Sequence, residues 1–318
     1  MKRALAAAIF SLCSTAALAQ VAAWPTKPVR FVVPFAPAGP TDILARMIAQ
    51  RLDDVWRQSI IVDNRAGAGG NIGVQAAAKA PADGYTVLVT TTSIAVNASL
   101  TPNPGYDVGK DFVPVIDAAS SPNMIVVHES GARSLKELIE SSRKDGIIYG
   151  SAGTGTTPHL SAEYLFKNLA GLKTMHVPYK GAGPAVNAAL ANEVPAVCVA
   201  MPTAVSAIKS GRLRGLAVTS RRRVAALPDV PTVEEAGFPG FEDDTWIGLF
   251  VPAGTSPAIV NKINVDVNAF LALPETRDRL AALGFEPVGG TPEAFAAYLK
   301  TEVAKWARVV KETGAKVE

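Results

Sequence analysis

The residues best placed to do chemistry in this chain are glycines and threonines in short loops. VRFVVPFAPAGPTDILARMIAQRL, residues 29–52, reads as a strand, a loop of small residues, Thr-Asp and an amphipathic helix. GSAGTGTTPHL, residues 150–160, repeats the plan with Thr-Thr-Pro at the helix start. Pro158 suits a first helical position with Thr157 as its cap, and Thr41 is the matching cap in the first stretch. Helix starts leave backbone N–H groups unpaired, and glycine lets such groups approach a ligand closely. Each helix dipole favours an anion by roughly 0.3–2 kcal/mol. Neither loop contains Lys or Arg, and neither matches a phosphate fingerprint. Two such ends facing each other would hold a small organic carboxylate with N–H groups and hydroxyls alone. RAGAGGNIG (65–73) and GAGPAV (181–186) add two more glycine-rich turns before helices. Turn chemistry accounts for any one of these loops; the matched pair carries the reading.

Enzyme signatures fail one by one. GAGGNIG places Ile72 where a dinucleotide fingerprint needs its third glycine. No G-x-S-x-G elbow is present, and SSRK (141–144) has neither S-D-N nor K-T-G to accompany it. His128, His159 and His176 lack metal-ligand spacing. His159 opens the second helix, so ligand contact and helix-start packing are both open for it. Asp243-Asp244 is a candidate acid pair, but adjacent residues on a strand point apart, and a solvated turn is the expectation. Cys198 lies in PAVCVA, an apolar stretch with no neighbouring base, and reads as a small core residue. No catalytic residue, cofactor or metal is expected.

The elements that must position these loops alternate strand and helix. Strands are expected at VRFVVPF, SIIVD and YTVLVTT with helices between them, then at NMIVVH, IIYGS, TMHVPY, PAVCVA and LRGLAVTS. IGLFVPA follows, and helices at about 256–271, 274–283 and 292–313 end the chain. The pattern predicts an α/β fold of two lobes, each a mostly parallel sheet flanked by helices. The tail is expected to return to the first lobe, so the chain crosses near 119–125 and 240–246. That assigns 20–122 with 243–318 to lobe 1 and 123–242 to lobe 2. Open α/β sheets bind ligands at strand C-terminal ends, which here face a shared cleft.

Composition narrows the setting. With 48% hydrophobic and 19% charged residues, the chain is globular rather than disordered. MKRALAAAIFSLCSTAALAQ has a charged start, an apolar region and Ala17-Leu18-Ala19, the pattern of a secretory signal cleaved after Ala19. Loss of Lys2 and Arg3 would lower the formal charge from +3 to +1, which excludes nucleic-acid binding by bulk charge. Cleavage leaves Cys198 as the one thiol, so no disulfide framework is expected. No later run of about 18 apolar residues would span a membrane. A monomer in the periplasm is expected.

The chain resembles the Bug-type extracytoplasmic solute receptors, the binding components of tripartite tricarboxylate transporters. The resemblance runs through WPTKPVRFVVPFAPAGPTDILARMIAQRL, IIVDNRAGAGGNIG, DGYTVLV, YGSAGTGTTPHLSAEYL, HVPYKGAGPAV, LRGLAVTS, ALPDVPTVEEAG and TPEAFAAYL, essentially the whole mature chain. It implies a two-lobed Venus-flytrap fold that grips a carboxylate with one loop per lobe. Carried over residue by residue, the first loop is Phe35 to Asp42, with Ala38, Gly39 and Thr41. The second is Ser151 to His159, with Gly153, Thr154, Thr156 and Thr157. Thr91, Ser93 and Asn97 would line the first-lobe wall. Ala38-Gly39-Pro40 stands where relatives have Gly-Gly-Ser, and Ala38 has less backbone freedom than glycine. Val199-Ala200-Met201-Pro202-Thr203 lacks the Asp or Asn that similar proteins place there, although Thr203 is retained as a contact. A substrate ammonium would have no acidic partner, which argues for a purely anionic or aromatic carboxylate over an amino acid. Trp246, at the second crossing, would either cover an apolar part of the ligand or pack the hinge.

The expected function is capture of a small carboxylate between two lobes for the membrane subunits of a tripartite transporter. Presentation of the ligand to a sensor kinase is the alternative, and a periplasmic enzyme on the same fold is a weaker one.

Overall fold

The computed structural model describes residues 24–313; the signal segment and its cleavage point lie outside them. The order is β1 (Val29–Val33), α1 (Pro40–Trp56), β2 (Ile60–Asn64), a 3₁₀ turn at Ala68–Gly70, α2 (Asn71–Ala78), β3 (Thr86–Thr91), α3 (Ser93–Leu100) and β4 (Phe112–His128). Next come α4 (Leu135–Ser141), β5 (Ile147–Ser151), α5 (Thr157–Glu163) continuing as a π turn through Leu169, β6 (Thr174–Pro178), α6 (Ala182–Leu190) and β7 (Ala196–Ala200). A 3₁₀ turn at Met201–Thr203, α7 (Val205–Lys209), β8 (Leu213–Val218), β9 (Asp244–Pro252), α8 (Pro257–Ala272), α9 (Pro274–Leu283), β10 (Glu286–Pro287) and α10 (Pro292–Thr313) complete it.

Helix α1 shows how the pattern becomes structure. Leu44, Ile48 and Leu52 recur every four residues and are fully buried beside Phe31 and Val33 of β1. Pro40 opens the helix and Arg57 closes it in the left-handed conformation, its N–H bonded to the Asp53 carbonyl. Truncating Ile48 to Ala would cost about 2–5 kcal/mol in such a site. The cap is Gly39, two residues before Thr41, because Pro40, which has no N–H to satisfy, takes the first helical position. In α5 the cap is likewise Thr156 rather than Thr157.

The strands join in the order β2-β1-β3-β9-β4-β7-β5-β6, with β8 and β10 also paired to β4. Pairing is parallel among β1, β2 and β3 and among β5, β6 and β7, as βαβ units require. Strands β4 and β9 run antiparallel through the middle, so the sheet is mixed. Strand β4 is far longer than NMIVVH. Its first part, to Pro122, pairs with β9, and from Asn123 onward it pairs with β7 and β8. Pro114 and Pro122 interrupt the apolar pattern, because proline donates no ladder bond and sits at irregularities; the register shifts beside Pro114.

Two core clusters lie on the β1–β3–β9 side, one built on Phe31, Leu44 and Ile116, the other on Leu88, Trp246 and Phe250. Two others lie on the β5–β7 side around Met124 and Val199 and around Tyr149 and Phe166. Cys198 is fully buried in the last of these, and burial raises its thiol pKa far above the reactive range.

Asp243 and Asp244 depart from the expected solvated turn. They sit half-buried where β9 begins beside Pro122. Asn123 donates to the Asp243 carboxylate at 2.9 Å, Ser161 donates to it as well, and the Thr219 hydroxyl reaches the Asp243 carbonyl. Burial pushes the Asp243 pKa up to about 7, with Asp244 adding to the rise. The start of β9 is therefore hydrogen-bonded to β4, to α5 and to the segment after β8, which the charge of the two residues did not suggest.

Candidate ligand-binding site

The loop after β1 is organised from behind. Asp42, in the first turn of α1, is 3% exposed and turns its carboxylate back under the loop. It accepts from the Ala38 N–H at 3.0 Å, from the Asn64 amide at 3.0 Å and from the Arg46 guanidinium at 2.9–3.0 Å. Burial raises its pKa, but the Arg46 bond and the Ala38 and Asn64 donors outweigh that, and the net value lies below the ordinary carboxylate range. Asn64 also donates to the Phe35 carbonyl. Ala38 is held at φ +64°, in the left-handed region, where a residue with a Cβ is strained.

The loop after β5 is organised by neutral groups. The Gly153 N–H donates to Ser151 Oγ at 3.1 Å, and the Thr156 hydroxyl donates to the Gly153 carbonyl at 2.7 Å. The Gly155 N–H donates to His159 Nδ1 at 3.3 Å, and Ser151 Oγ lies 2.7 Å from His176 Nε2. Gly153 and Gly155 have φ of +134° and +81°, which this turn requires.

The two loops face each other across a cavity of about 30 Å³ lined by Phe35, Gly39, Thr41, Thr91, Thr156 and Thr157. Pro40, Ala152, Pro158, Ala182, Ala200 and Thr245 complete the wall. No ionisable side chain is among them. Thr41 Oγ1 is buried with no hydrogen-bond partner among the described residues, and the hydroxyls of Thr157 and Thr245 are bonded to each other. The space suits one or two waters. A larger, more open groove of about 720 Å³, with Glu129, Arg133 and Leu216 in its wall, shares no residue with either loop.

The sides also touch directly. The Ala36 N–H donates to the Lys180 carbonyl at 2.9 Å. A Cβ placed on Gly69 would lie 2.1 Å from the Thr154 carbonyl oxygen, and one on Gly155 would lie 2.2 Å from Asn97 Oδ1. Backbone meets backbone at Gly69 and backbone meets the Asn97 side chain at Gly155, because these glycines carry no Cβ.

Six of the residues singled out in the sequence line the cavity: Phe35, Gly39, Thr41, Thr91, Thr156 and Thr157. Ala38, Asp42, Ser151, Gly153 and His159 instead shape the loops from behind. Ser93 accepts from the Thr91 hydroxyl, and Asn97 donates to the Gly69 carbonyl beside Thr154. Thr203 Oγ1 is buried outside the cavity wall without a partner among the described residues. Trp246 is 1% exposed, packs on Phe250 and Phe295, and donates to Glu302 at 3.1 Å, away from the wall. Ala182 and Thr245 were not named as contacts. Ala182 stands in the GAGPAV turn, whose glycines were the available signal, and Thr245 had none; Ala200 lies in the 199–203 segment that the resemblance had marked, although Thr203 was the contact named there.

The model of the tripartite tricarboxylate transporter family receptor matches residues 44–315. The chain belongs to that family. BugT of Bordetella pertussis is 39% identical over 300 residues, covering 93% of this chain and 92% of BugT. The structure of the periplasmic binding protein BugD superposes with a TM-score of 0.88 at 36% identity, over 93% of this chain and all of BugD. R. palustris Rpa4515, solved with adipate, superposes with a TM-score of 0.88 at 39% identity, over 92% of this chain and all of that one. The fold is that of the periplasmic binding proteins, and the family is one of extracytoplasmic solute receptors. Among the described residues, no helix is long and apolar enough to cross a membrane.

Proposed function

We propose that the chain captures a small organic carboxylate between two lobes in the periplasm and delivers it to the membrane subunits of a tripartite transporter. The observation that carries this is the wall between the loops: threonine hydroxyls, small-residue backbone and apolar surface, with no charged side chain. Such a wall recognises an anion by hydrogen bonds in a dry site, where each is worth more than in water. The unpartnered Thr41 hydroxyl supplies one donor. The absence of an acid from the wall leaves a substrate ammonium unmatched, which favours carboxylates over amino acids. The adipate bound to Rpa4515 supports a dicarboxylate. The same wall offers no nucleophile or general base, which supports binding without covalent chemistry.

The lobes are 20–122 with 243–318 and 123–242, supported by the change of partners within β4 at Pro122 and Asn123. Residues 1–19 act as a cleaved secretory signal, supported by the charged, apolar and Ala-x-Ala pattern. The mature protein works as a monomer. Because the cavity holds only a water or two, the lobes part to admit a dicarboxylate and close on it, a population shift between two states.

Thermal melting of the mature protein against adipate, malate, aromatic acids and amino acids tests this. Adipate or a relative should raise the melting temperature by mass action. A shift confined to amino acids would sink the reading. Gly69→Ala should weaken that ligand by about tenfold or more, since a new Cβ meets the Thr154 backbone only when the lobes are closed. Scattering should then show a larger radius for the variant with ligand than for the wild type.

A further inference from the structure

We propose that His159 and His176 are positioning residues of the second ligand loop, a stacked and uncharged imidazole pair that holds the Ser151–Thr157 backbone in the shape that captures ligand. This rests on the carboxylate-capture reading above.

The two rings stand 4.1 Å apart at 26°, on α5 and β6. Neither lines the cavity. Each holds one end of the loop. His159 Nδ1 accepts the Gly155 N–H, which requires that nitrogen to be unprotonated and puts the ring proton on Nε2. His176 Nε2 meets Ser151 Oγ, which also accepts the Gly153 N–H. Moving either ring frees a glycine of left-handed or mirror conformation at the cavity edge. The loop's own bonds, from the Thr156 N–H and hydroxyl to the Gly153 carbonyl, leave the Gly155 N–H and the Ser151 hydroxyl to the two rings.

The groups packed around the pair are Tyr149 on β5, which stacks on His176 at 5.1 Å, and Glu163 on α5, which accepts from the Tyr149 hydroxyl at 2.8 Å. Lys167 pairs with Glu163 at 3.0 Å, and Thr174 donates to it. Cys198 on β7 pairs in register with Ser151, and burial keeps it a neutral thiol. Glu163 is thus already matched, and no free carboxylate offsets a charge on the imidazoles. Burial pushes the His159 pKa down to about 4, with Glu163 opposing weakly. Burial and the neighbouring His159 push His176 down to about 3. A proton on His159 Nδ1 would face the Gly155 N–H and destroy the bond. Acid therefore unlocks this loop although no wall residue titrates.

The test begins without ligand, by ring-¹⁵N NMR and amide exchange on the whole mature protein. His159 should show the Nε2–H tautomer and stay neutral down to about pH 5, with the Gly155 amide protected. His159→Asn keeps an acceptor near the Nδ1 position and cannot titrate. Adipate binding by calorimetry should be near wild type for this variant at pH 7.5, and at pH 4.0 it should lose about twofold less than wild type does. Adipate's own titration is common to both proteins. His159→Ala should lose about tenfold at both pH values and exchange Gly155 faster. An Nδ1–H tautomer, titration near 6.5, or normal Gly155 protection in His159→Ala would overturn the proposal. If adipate does not bind wild type, the ligand reading fails for that acid, and the tautomer and Gly155 exchange still decide the positioning role.

Discussion

The loop after β1 and the loop after β5 share one plan and are fixed by opposite chemistry. Behind Phe35–Asp42 sits an ionised carboxylate that gathers the Ala38 N–H, the Asn64 amide and Arg46. Behind Ser151–Thr157 sit two stacked imidazoles, of which His159 accepts the Gly155 N–H only through an unprotonated Nδ1. Both devices face away from the cavity, and both leave its wall free of charged side chains. Matching loop sequences therefore need not imply matching supports. A backbone that offers N–H groups to an anion must be held by something other than the anion, and any group able to hold two or three loop atoms from behind will serve. The choice decides how each loop responds to pH.

The largest effect is expected from removing the carboxylate. Asp42→Ala strands a loop N–H and an amide, and should cost about 2–4 kcal/mol of unfolding free energy, measured in urea. A cost similar to an ordinary surface change would erase the contrast between the loops. Arg46→Ala should cost far less, since the guanidinium end of that pair is half exposed.

Acid should separate the loops next. Asp42 has a lowered pKa, so its contribution is present above the ordinary carboxylate value and lost only as pH falls through the lower folded one. His159 is also depressed, but as a base: its neutral form is favoured, so its contribution is full above about 6.5 and is lost as pH falls toward about 4. Asp243, raised to about 7, acts in the opposite sense over the same range, binding its proton earlier in the folded state. The wild-type curve alone therefore mixes signs. The difference between wild type and His159→Asn isolates the imidazole and should reach about 3 kcal/mol between pH 7 and pH 4. A flat difference would mean that the second loop is not held by a titrating group.

Smaller effects sharpen the distinction between support and wall. Thr41→Val removes a hydroxyl with no protein partner among the described residues, so stability should change by under about 1 kcal/mol, while adipate binding weakens about five- to tenfold. A large stability loss would move Thr41 from the wall to the support. Ala38→Gly relieves a residue held at φ +64° and should gain at most about 1 kcal/mol, raising the melting temperature by a few degrees. An unchanged or lower melting temperature would show that unfolded-chain entropy outweighs the strain.

Much of the fold was legible because it is written in periods. The every-fourth-residue pattern of Leu44, Ile48 and Leu52 marks α1, and short β-branched runs mark β1, β3, β5 and β7. Strand β4 was legible only in its second half, since Pro114 and Pro122 mimic breaks. In the site, Thr41, Thr156 and Thr157 were readable from loop position, as polar residues at helix starts beside glycine. Asp42 was readable as important but not as a support, and for His159 ligand contact and helix-start packing both stayed open, because a side chain's direction depends on which way the helix turns beneath it.

The local chemistry was determined by sequence alone: which loops are small and flexible, where helices begin, and that neither loop contains a fixed positive charge. Those properties depend on residues within a few positions of each other. Tertiary structure decided what stands behind each loop and what closes against it. Asn64 reaches Asp42 from β2, His176 reaches Ser151 from β6, and Gly69 meets Thr154 across the cleft. The partners in these contacts lie some 20 to 85 positions apart in the chain. Their meeting is set by strand order and register, which no local pattern encodes.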